Sequence, residues 1–159
     1  MKRSKRKIII SVTCLAIAAC AVVVTAIIMN GGSQQFKLDN EYYAASESID
    51  IDKEAYEKLV SEKKSFVVLI DKPGCTTTAK MRENMANFPS DTQFKYYRMM
   101  WSEVKKSSLH DKIKFTPSVA IVKSGEVYKW LQADKDEDTE YFNSGDALRD
   151  WIRKYILFE

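Results

Sequence analysis

A long apolar run without a charged residue dominates the start of the chain. The run covers residues 8–29, or 22 residues, and a helix of that length is about 33 Å long, enough to cross a hydrocarbon core of about 30 Å. Five of the seven residues before it are basic, and under the positive-inside rule such a head stays in the cytoplasm. The pattern predicts a single-pass protein of the cell membrane, with a cytoplasmic head over 1–7, a transmembrane helix over 8–29, a tether over 30–45 and a folded extracytoplasmic domain over 46–159.

Two processed forms of this N-terminus are alternatives to the anchor. A cleaved signal peptide has an apolar core of about 7–15 residues, which is shorter than this run. Residues 17–20 (IAAC) resemble a lipobox with Cys20 as the acylated residue, although the apolar run continues to Met29. All three interpretations place the rest of the chain outside the cytoplasmic membrane.

The rest of the chain alternates between short apolar runs and amphipathic segments. A short strand is predicted over 48–51, and Asp52 is a candidate N-cap for a helix that extends to about residue 63. The segment 65–71, apolar from Phe66 to Ile70 and rich in β-branched residues, predicts a central strand buried on both faces. The next predicted elements are a helix over 76–87, a strand over 94–99, a helix capped by Ser102 that runs toward 109, strands over 118–123 and 126–131, and a helix over 144–158.

The order of these elements indicates an α/β fold. Strands joined by helices are expected to be parallel, and the last two strands, separated by Ser124 and Gly125, are expected to form an antiparallel hairpin. The predicted fold class is a mixed sheet of four or five strands flanked by helices. The acidic stretch 134–140 lacks the ligand pattern of a calcium loop and is expected to be a solvated loop.

Charge and composition narrow the classes of function. Beyond the basic head, 20 basic residues stand against 22 acidic ones, so the concentrated positive field that nucleic-acid binding needs is not expected. The chain has three cysteines, two of them in the apolar run, which excludes a disulfide-stapled scaffold. It has one histidine, His110, which excludes a multi-histidine metal centre. Neither a cofactor nor a metal ion is expected. The expected partners are the membrane and an exported protein or peptide, or a membrane complex.

A cysteine and a proline carry a resemblance to a known superfamily. Cys75 follows the central strand and opens the next helix in VVLIDKPGCTTTAKM, and Pro117 comes 42 residues later in FTPS, just before a strand. Gly125 follows in KSGEV. In order and spacing, residues 46–158 resemble the thioredoxin-like superfamily, whose members have a Cys-x-x-Cys at the helix start and a cis-proline before that strand. Among exported members the chain looks most like Gram-positive thioredoxin-like proteins, including bacteriocin-transport accessory proteins.

The chain departs from the superfamily pattern at three positions. Thr78 stands where the second cysteine would be, Gly74 replaces a tryptophan, and Leu69 aligns with the buried acidic residue of thioredoxins. Because the exported part has no other cysteine, Cys75 cannot form a disulfide within its own domain. Thiol–disulfide chemistry here needs a resolving thiol from outside.

The position of Cys75 nevertheless favours a reactive thiol. At a helix N-terminus, free N–H groups and the helix dipole stabilise a thiolate, and the hydroxyl of Thr78, one turn further on, can donate to the sulfur. The site resembles that of monothiol Cys-x-x-Ser glutaredoxins, which form mixed disulfides. The resemblance gives Cys75 and Thr78 as candidate catalytic residues and three candidate substrate-binding residues, Gly74, Thr116 and Pro117.

Two functions are consistent with these residues. The first is a membrane-anchored extracytoplasmic thioredoxin-like protein, monothiol or redox-degenerate, that handles thiols and disulfides of exported proteins; as an enzyme it would be a monothiol thiol–disulfide oxidoreductase. The second is a non-catalytic thioredoxin-like module that binds an extended peptide or belongs to a membrane or export complex. In that case Thr116 and Pro117 supply a backbone edge to the bound strand.

Overall fold

A computed structural model of the chain describes residues 34–43 and 46–158. The predicted head, the predicted transmembrane helix and parts of the predicted tether lie outside the described residues. Within the described ranges, no helix combines the length and the apolar character that a membrane crossing requires.

Five strands of the described part form one mixed sheet. They are β1 (Ser48–Ile51), β2 (Phe66–Asp71), β3 (Tyr96–Met100), β4 (Ser118–Lys123) and β5 (Glu126–Gln132), in the spatial order β1-β3-β2-β4-β5. The strand β3 is parallel to both β1 and β2, whereas β4 is antiparallel to β2 and β5. The mixed sheet, its central strand and its terminal hairpin were predicted from the sequence and are confirmed.

The central strand β2 is buried at every position. Its first five residues are apolar and, from Phe66 to Ile70, are fully inaccessible to solvent, which requires cover on both faces of the strand. The last residue, Asp71, is a carboxylate that is only 1% exposed. Buried charges need partners, and Asp71 has two arginines within ion-pair distance, Arg82 and Arg98.

The described residues also form five α-helices. These are α1 (Lys53–Ser61), α2 (Thr76–Ala86), α3 (Trp101–Val104), α4 (Thr139–Asn143) and α5 (Gly145–Arg153). As predicted, Asp52 caps α1, because its Oδ1 accepts the Ala55 N–H at 2.8 Å. The helix α2 buries Met81 and Met85 on one face and packs against α4 and α5.

Two predicted helices are shorter in the structure. Ser102 does not cap a helix that reaches residue 109; it lies inside α3, which ends at Val104. Ser107 ends this segment, since both its N–H and its hydroxyl donate to the Val104 carbonyl, at 3.0 Å and 2.9 Å. The last helix ends at Arg153 rather than 158, because the chain beyond it pairs with the N-terminal segment: the Leu157 N–H donates to the Phe36 carbonyl at 2.9 Å.

The acidic stretch 134–140 is more ordered than the predicted loop. It contains a 3-10 turn, Asp136–Asp138, and leads directly into α4. A carboxylate oxygen of Asp138 accepts the Gln132 N–H at 2.9 Å. The stretch therefore continues the end of β5 into the helical segment.

The folded unit begins at Gln35, within the predicted tether. Phe36 forms a bridge with Ile156, and Leu38 and Tyr42 are buried in the core. These apolar residues are separated by polar ones, so no helix or strand period marks them in the sequence.

The turn between β4 and β5 has the geometry that the sequence predicts. Ser124 and Gly125 both have positive φ, 52° and 81°, as a two-residue type I′ turn requires. A Cβ at Gly125 would lie 2.4 Å from the Val60 carbonyl oxygen, so glycine is needed there for space as well as for its backbone.

Candidate functional site

Cys75 lies where the central strand passes into α2. After Asp71 ends β2, the chain turns, and the Cys75 N–H donates to the Lys72 carbonyl at 3.2 Å. Gly74 has a φ of 75°, a left-handed conformation that glycine adopts without steric cost. Cys75 is the N-cap of α2, and its carbonyl accepts the Ala79 N–H at 3.1 Å. Cys75 therefore lies at a helix N-terminus, as predicted, and the residue is half-buried.

Hydrogen-bond donors at the start of α2 lower the pKa of Cys75 below its ordinary value. The largest contribution comes from the side-chain hydroxyl of Thr78. Burial opposes this effect, and the N–H groups of Thr78 and Thr77 together with the Thr77 hydroxyl add to it. The arrangement stabilises a thiolate, the form in which cysteine acts as a nucleophile.

Thr78 is fully buried beneath the thiol. Its hydroxyl makes no hydrogen bond of ordinary geometry with any described residue. The Cys75 thiol is close enough for this hydroxyl to lower its pKa, and a buried hydroxyl without a full hydrogen bond is costly. Thr78 is thus placed to act on the thiol, although its catalytic role stays a prediction.

Thr116 and Pro117 lie at the same end of the sheet as the cysteine loop. The peptide bond between them is cis, as the resemblance implies. Ile70 at the end of β2 pairs with Ser118 at the start of β4, and the Thr116 hydroxyl donates to the Ile70 carbonyl at 3.4 Å. The Pro117 carbonyl accepts the Ala133 N–H at 3.3 Å.

A cleft of about 550 Å³ opens beside Cys75. Gly74 and Cys75 line it, together with exposed Lys72, with Met100, and with charged residues of β2, β3 and α2. Thr116 and Pro117 are not among the residues that line this cleft. The candidate site therefore has two parts, a charged cleft at Cys75 and a separate cis-proline loop at the same sheet end.

Three charged residues of the cleft lining, Asp71, Arg82 and Arg98, form a chain of ion pairs that continues to Asp50. Asp71 forms an ion pair with Arg82 of α2, and its Oδ2 is 3.9 Å from the Nε of Arg98. Arg98 in turn binds both carboxylate oxygens of Asp50, at 2.5 Å and 2.7 Å. This bidentate pair lowers the pKa of Asp50. The side chains of Arg82 and Arg98 are 38% and 24% exposed, so both remain partly accessible to solvent.

Sequence reasoning missed this chain of charges. It noted Leu69 at the position of the thioredoxin acid, and Leu69 is indeed fully buried. Asp71 is two residues further along the same strand, and side chains two apart in a strand share a face. The available signal was a carboxylate that ends an otherwise apolar strand. Phe115, which is 49% exposed beside the cis-proline, was also missed.

No metal centre is indicated in the part of the chain that the structure describes, where no group of three or more potential ligand side chains converges.

No protein-family model matches the sequence, and no curated protein matches it either. Among solved structures, the chain is similar to the reduced thioredoxin pre-protein of Schistosoma mansoni, with 17% identity over 70% of this chain and 100% of that one and a TM-score of 0.51. A mutant thioredoxin from Halobacterium salinarum is 16% identical over 72% of this chain and 96% of its own, with a TM-score of 0.48. Spinach chloroplast thioredoxin f, in its short form, is 14% identical over 64% of this chain and 96% of its own, with a TM-score of 0.44. Identities this low establish the fold alone. The described part of the chain has a thioredoxin-like α/β fold with a five-stranded mixed sheet.

Proposed function

We propose that the chain is a membrane-anchored, extracytoplasmic thioredoxin-like protein that acts on thiols and disulfides of exported proteins through a single sulfur. The observation that carries this proposal is the environment of Cys75: a half-exposed thiol whose pKa is lowered by the Thr78 hydroxyl and by N–H groups at the start of α2. A thioredoxin-like fold supports thiol chemistry at this position.

The reaction is a thiol–disulfide exchange in two steps. The Cys75 thiolate attacks one sulfur of a disulfide in the partner. A new S–S bond forms between Cys75 and that sulfur, while the partner's own S–S bond breaks and its second sulfur leaves as a thiolate. The mixed disulfide is then released by an external thiol, either a low-molecular-weight thiol or a dithiol protein. That thiolate attacks the partner's sulfur and Cys75 leaves as a thiolate, so no net electrons are gained or lost by the chain.

An external thiol is required because residues 46–159 contain no second cysteine. Cys75 and Thr78 are the proposed reacting and thiolate-stabilising residues. Gly74, Thr116 and Pro117 are proposed to contact the partner backbone around the reacting sulfur.

The test is trapping of the mixed disulfide. Full-length protein with Cys14 and Cys20 replaced by serine has Cys75 as its one thiol. Incubated near pH 7 with a disulfide-linked peptide, it should form a Cys75–peptide adduct by mass spectrometry much faster than the same protein in denaturant, and Cys75→Ser should form none. If the folded protein reacts no faster than the denatured one, the thiol is not activated and the redox function is wrong.

The proposed membrane location rests on the uncharged run 8–29 and the basic residues before it. Protease added to intact protoplasts should remove the chain beyond about residue 35 and leave the head and anchor. Full protection of the C-terminal domain would contradict an exported location, whatever the result for Cys75.

A second candidate function is binding of an extended peptide without chemistry. It is favoured by the loop before β4, where Phe115 is 49% exposed and Thr116 makes no backbone–backbone hydrogen bond with any described residue. A free N–H and C=O beside an exposed aromatic ring suit the addition of a strand. If Cys75→Ser preserves the cellular role while Phe115→Ser abolishes it, this function replaces the first.

A further inference from the structure

The surface where the chain enters the folded unit is built from aromatic rings. The ring of Phe36, close to the first described residue, meets Tyr128 of β5 edge-to-face at 6.0 Å. Tyr128 meets Tyr155, just beyond α5, at 5.9 Å. Each of these three residues is only partly buried, so the cluster forms part of the surface.

Two lysines complete this cluster. The Nζ of Lys123 is 5.0 Å from the Phe36 ring centroid and 5.1 Å from that of Tyr128. The Nζ of Lys129 is 5.6 Å from the Tyr128 ring and 5.7 Å from the Tyr155 ring. Neither lysine takes part in an ion pair between described residues. We call the five residues Phe36, Lys123, Tyr128, Lys129 and Tyr155 the aromatic–lysine face.

A hollow of about 490 Å³ adjoins this face and adds one further lysine and one carboxylate to it. Lys63 and Lys123 line it together with Tyr128, and the carboxylate among its lining residues is Glu126. The excess of lysines is local, since the chain beyond the basic head carries 20 basic residues and 22 acidic ones. An anionic surface would therefore attract this part of the domain and not the domain as a whole.

The length of the chain keeps this face near the membrane. Six residues, 30–35, separate the end of the apolar run from Phe36. Even fully extended, this segment places Phe36 no more than about 25 Å from Met29. The start of the folded unit is thus held within reach of lipid headgroups.

We propose that the aromatic–lysine face docks the domain on the anionic lipid headgroups of the membrane that anchors it; the inference rests on the anchor of the proposed function. Tyrosine rings are amphipathic and favour the headgroup level of a bilayer. Lysines near an anionic surface are attracted to its phosphates, and lysines held over ring faces remain free to donate to them. Docking fixes the orientation of the domain, and with it the side from which a partner reaches Cys75.

The experiment compares full-length protein in nanodiscs of phosphatidylcholine alone and in nanodiscs that also contain phosphatidylglycerol. The readout is hydrogen–deuterium exchange. The outward N–H groups of the edge strand β5 and those of residues 153–156 should exchange more slowly in the anionic nanodiscs. The amides of α2 should exchange equally in both.

Matched charge variants decide whether the face itself is responsible. The double variant K123Q/K129Q, which removes both charges, should reduce the lipid-dependent protection by about fivefold for each lysine. K123E/K129E, which reverses both charges, should reduce it further. K80E/K105E changes net charge equally at two exposed lysines elsewhere and should keep the protection.

Equal exchange in the two lipids overturns the docking proposal and leaves the anchor intact. The proposal is also overturned if K123E/K129E and K80E/K105E lose the same amount of lipid-dependent protection from exchange, because the change in net charge would then account for the effect. If the protein does not enter nanodiscs at all, the anchor fails and docking fails with it, while the chemistry of Cys75 is unaffected.

Discussion

Asp71 at the end of β2 forms an ion pair with Arg82 of α2. Cys75 lies in the turn between these two elements, so the pair ties the strand before the thiol to the helix after it. The carboxylate is 1% exposed and its second oxygen, Oδ1, has no partner among the described residues. Such a group is stable only while its positive partners stay in place.

Replacing Arg82 with methionine should therefore destabilise the domain. Asp71 would keep only Arg98, at 3.9 Å, and the free energy of unfolding should fall by about 3 kcal/mol. The double variant D71N/R82M, which removes the buried charge as well, should recover part of this loss. Urea denaturation of the three proteins measures it.

The matched control is Arg149→Met. Arg149 pairs with Asp146, whose side chain is 82% exposed, and an exposed pair of this kind contributes less than about 1 kcal/mol. If R82M and R149M lose the same stability, the ion pair at Asp71 does not hold the cysteine turn.

Replacing Thr78 with valine should slow the reaction of Cys75. Valine keeps the buried shape but removes the hydroxyl that contributes most to lowering the pKa of the thiol. The loss of about 1 kcal/mol corresponds to a roughly fivefold slower reaction with iodoacetamide near neutral pH. Thr76→Val is the control, since Thr76 is exposed and is not among the groups that lower the Cys75 pKa. Equal rates for T78V and T76V would show that the hydroxyl does not act on the sulfur.

The features that the sequence predicted are those with a regular pattern or a fixed order. The apolar run of β2, the Asp52 cap and the Ser124–Gly125 turn each have a local signature, and the cis bond before Pro117 followed from a resemblance in motif order. The Asp71–Arg82 pair has no such signature, because its partners belong to different elements and meet only in the folded sheet. The packing of Leu38 and Tyr42 was missed for a similar reason: short segments without a period do not reveal what they contact.

The lowered pKa of Cys75 also makes stability depend on pH. In the unfolded chain a cysteine has a pKa of about 8.5, whereas the folded value is lower. A group whose pKa is depressed by folding stabilises the native state fully above the unfolded pKa, and this contribution is lost as pH falls through the folded pKa.

The difference in unfolding free energy between the parent protein and Cys75→Ser should therefore increase from about pH 6 to about pH 9. Both proteins should carry serine at Cys14 and Cys20, so that Cys75 is the one titrating thiol. A difference that stays constant or decreases over this range would mean that folding does not favour the thiolate.

Replacing Thr78 with cysteine should create an internal disulfide. Residues three apart on a helix have Cβ atoms about 5–6 Å apart, and small rotations bring such a pair into the range of a disulfide. Position 78 lies one helical turn beyond Cys75, and its hydroxyl is the main group that lowers the Cys75 pKa. Mild oxidation of T78C should consume both thiols, as measured by thiol titration and mass spectrometry.

Thr76→Cys is the control for that variant, because adjacent helical residues do not face each other and its two thiols should stay free or link separate molecules. The comparison also bears on function. If T78C forms the disulfide and then oxidises a dithiol peptide without an added thiol, the scaffold supports a complete exchange cycle and the parent protein lacks only its resolving sulfur. If T78C keeps both thiols after oxidation, the start of α2 does not hold positions 75 and 78 in the geometry of a redox pair, and peptide binding at Phe115 and Thr116 becomes the better account of the site.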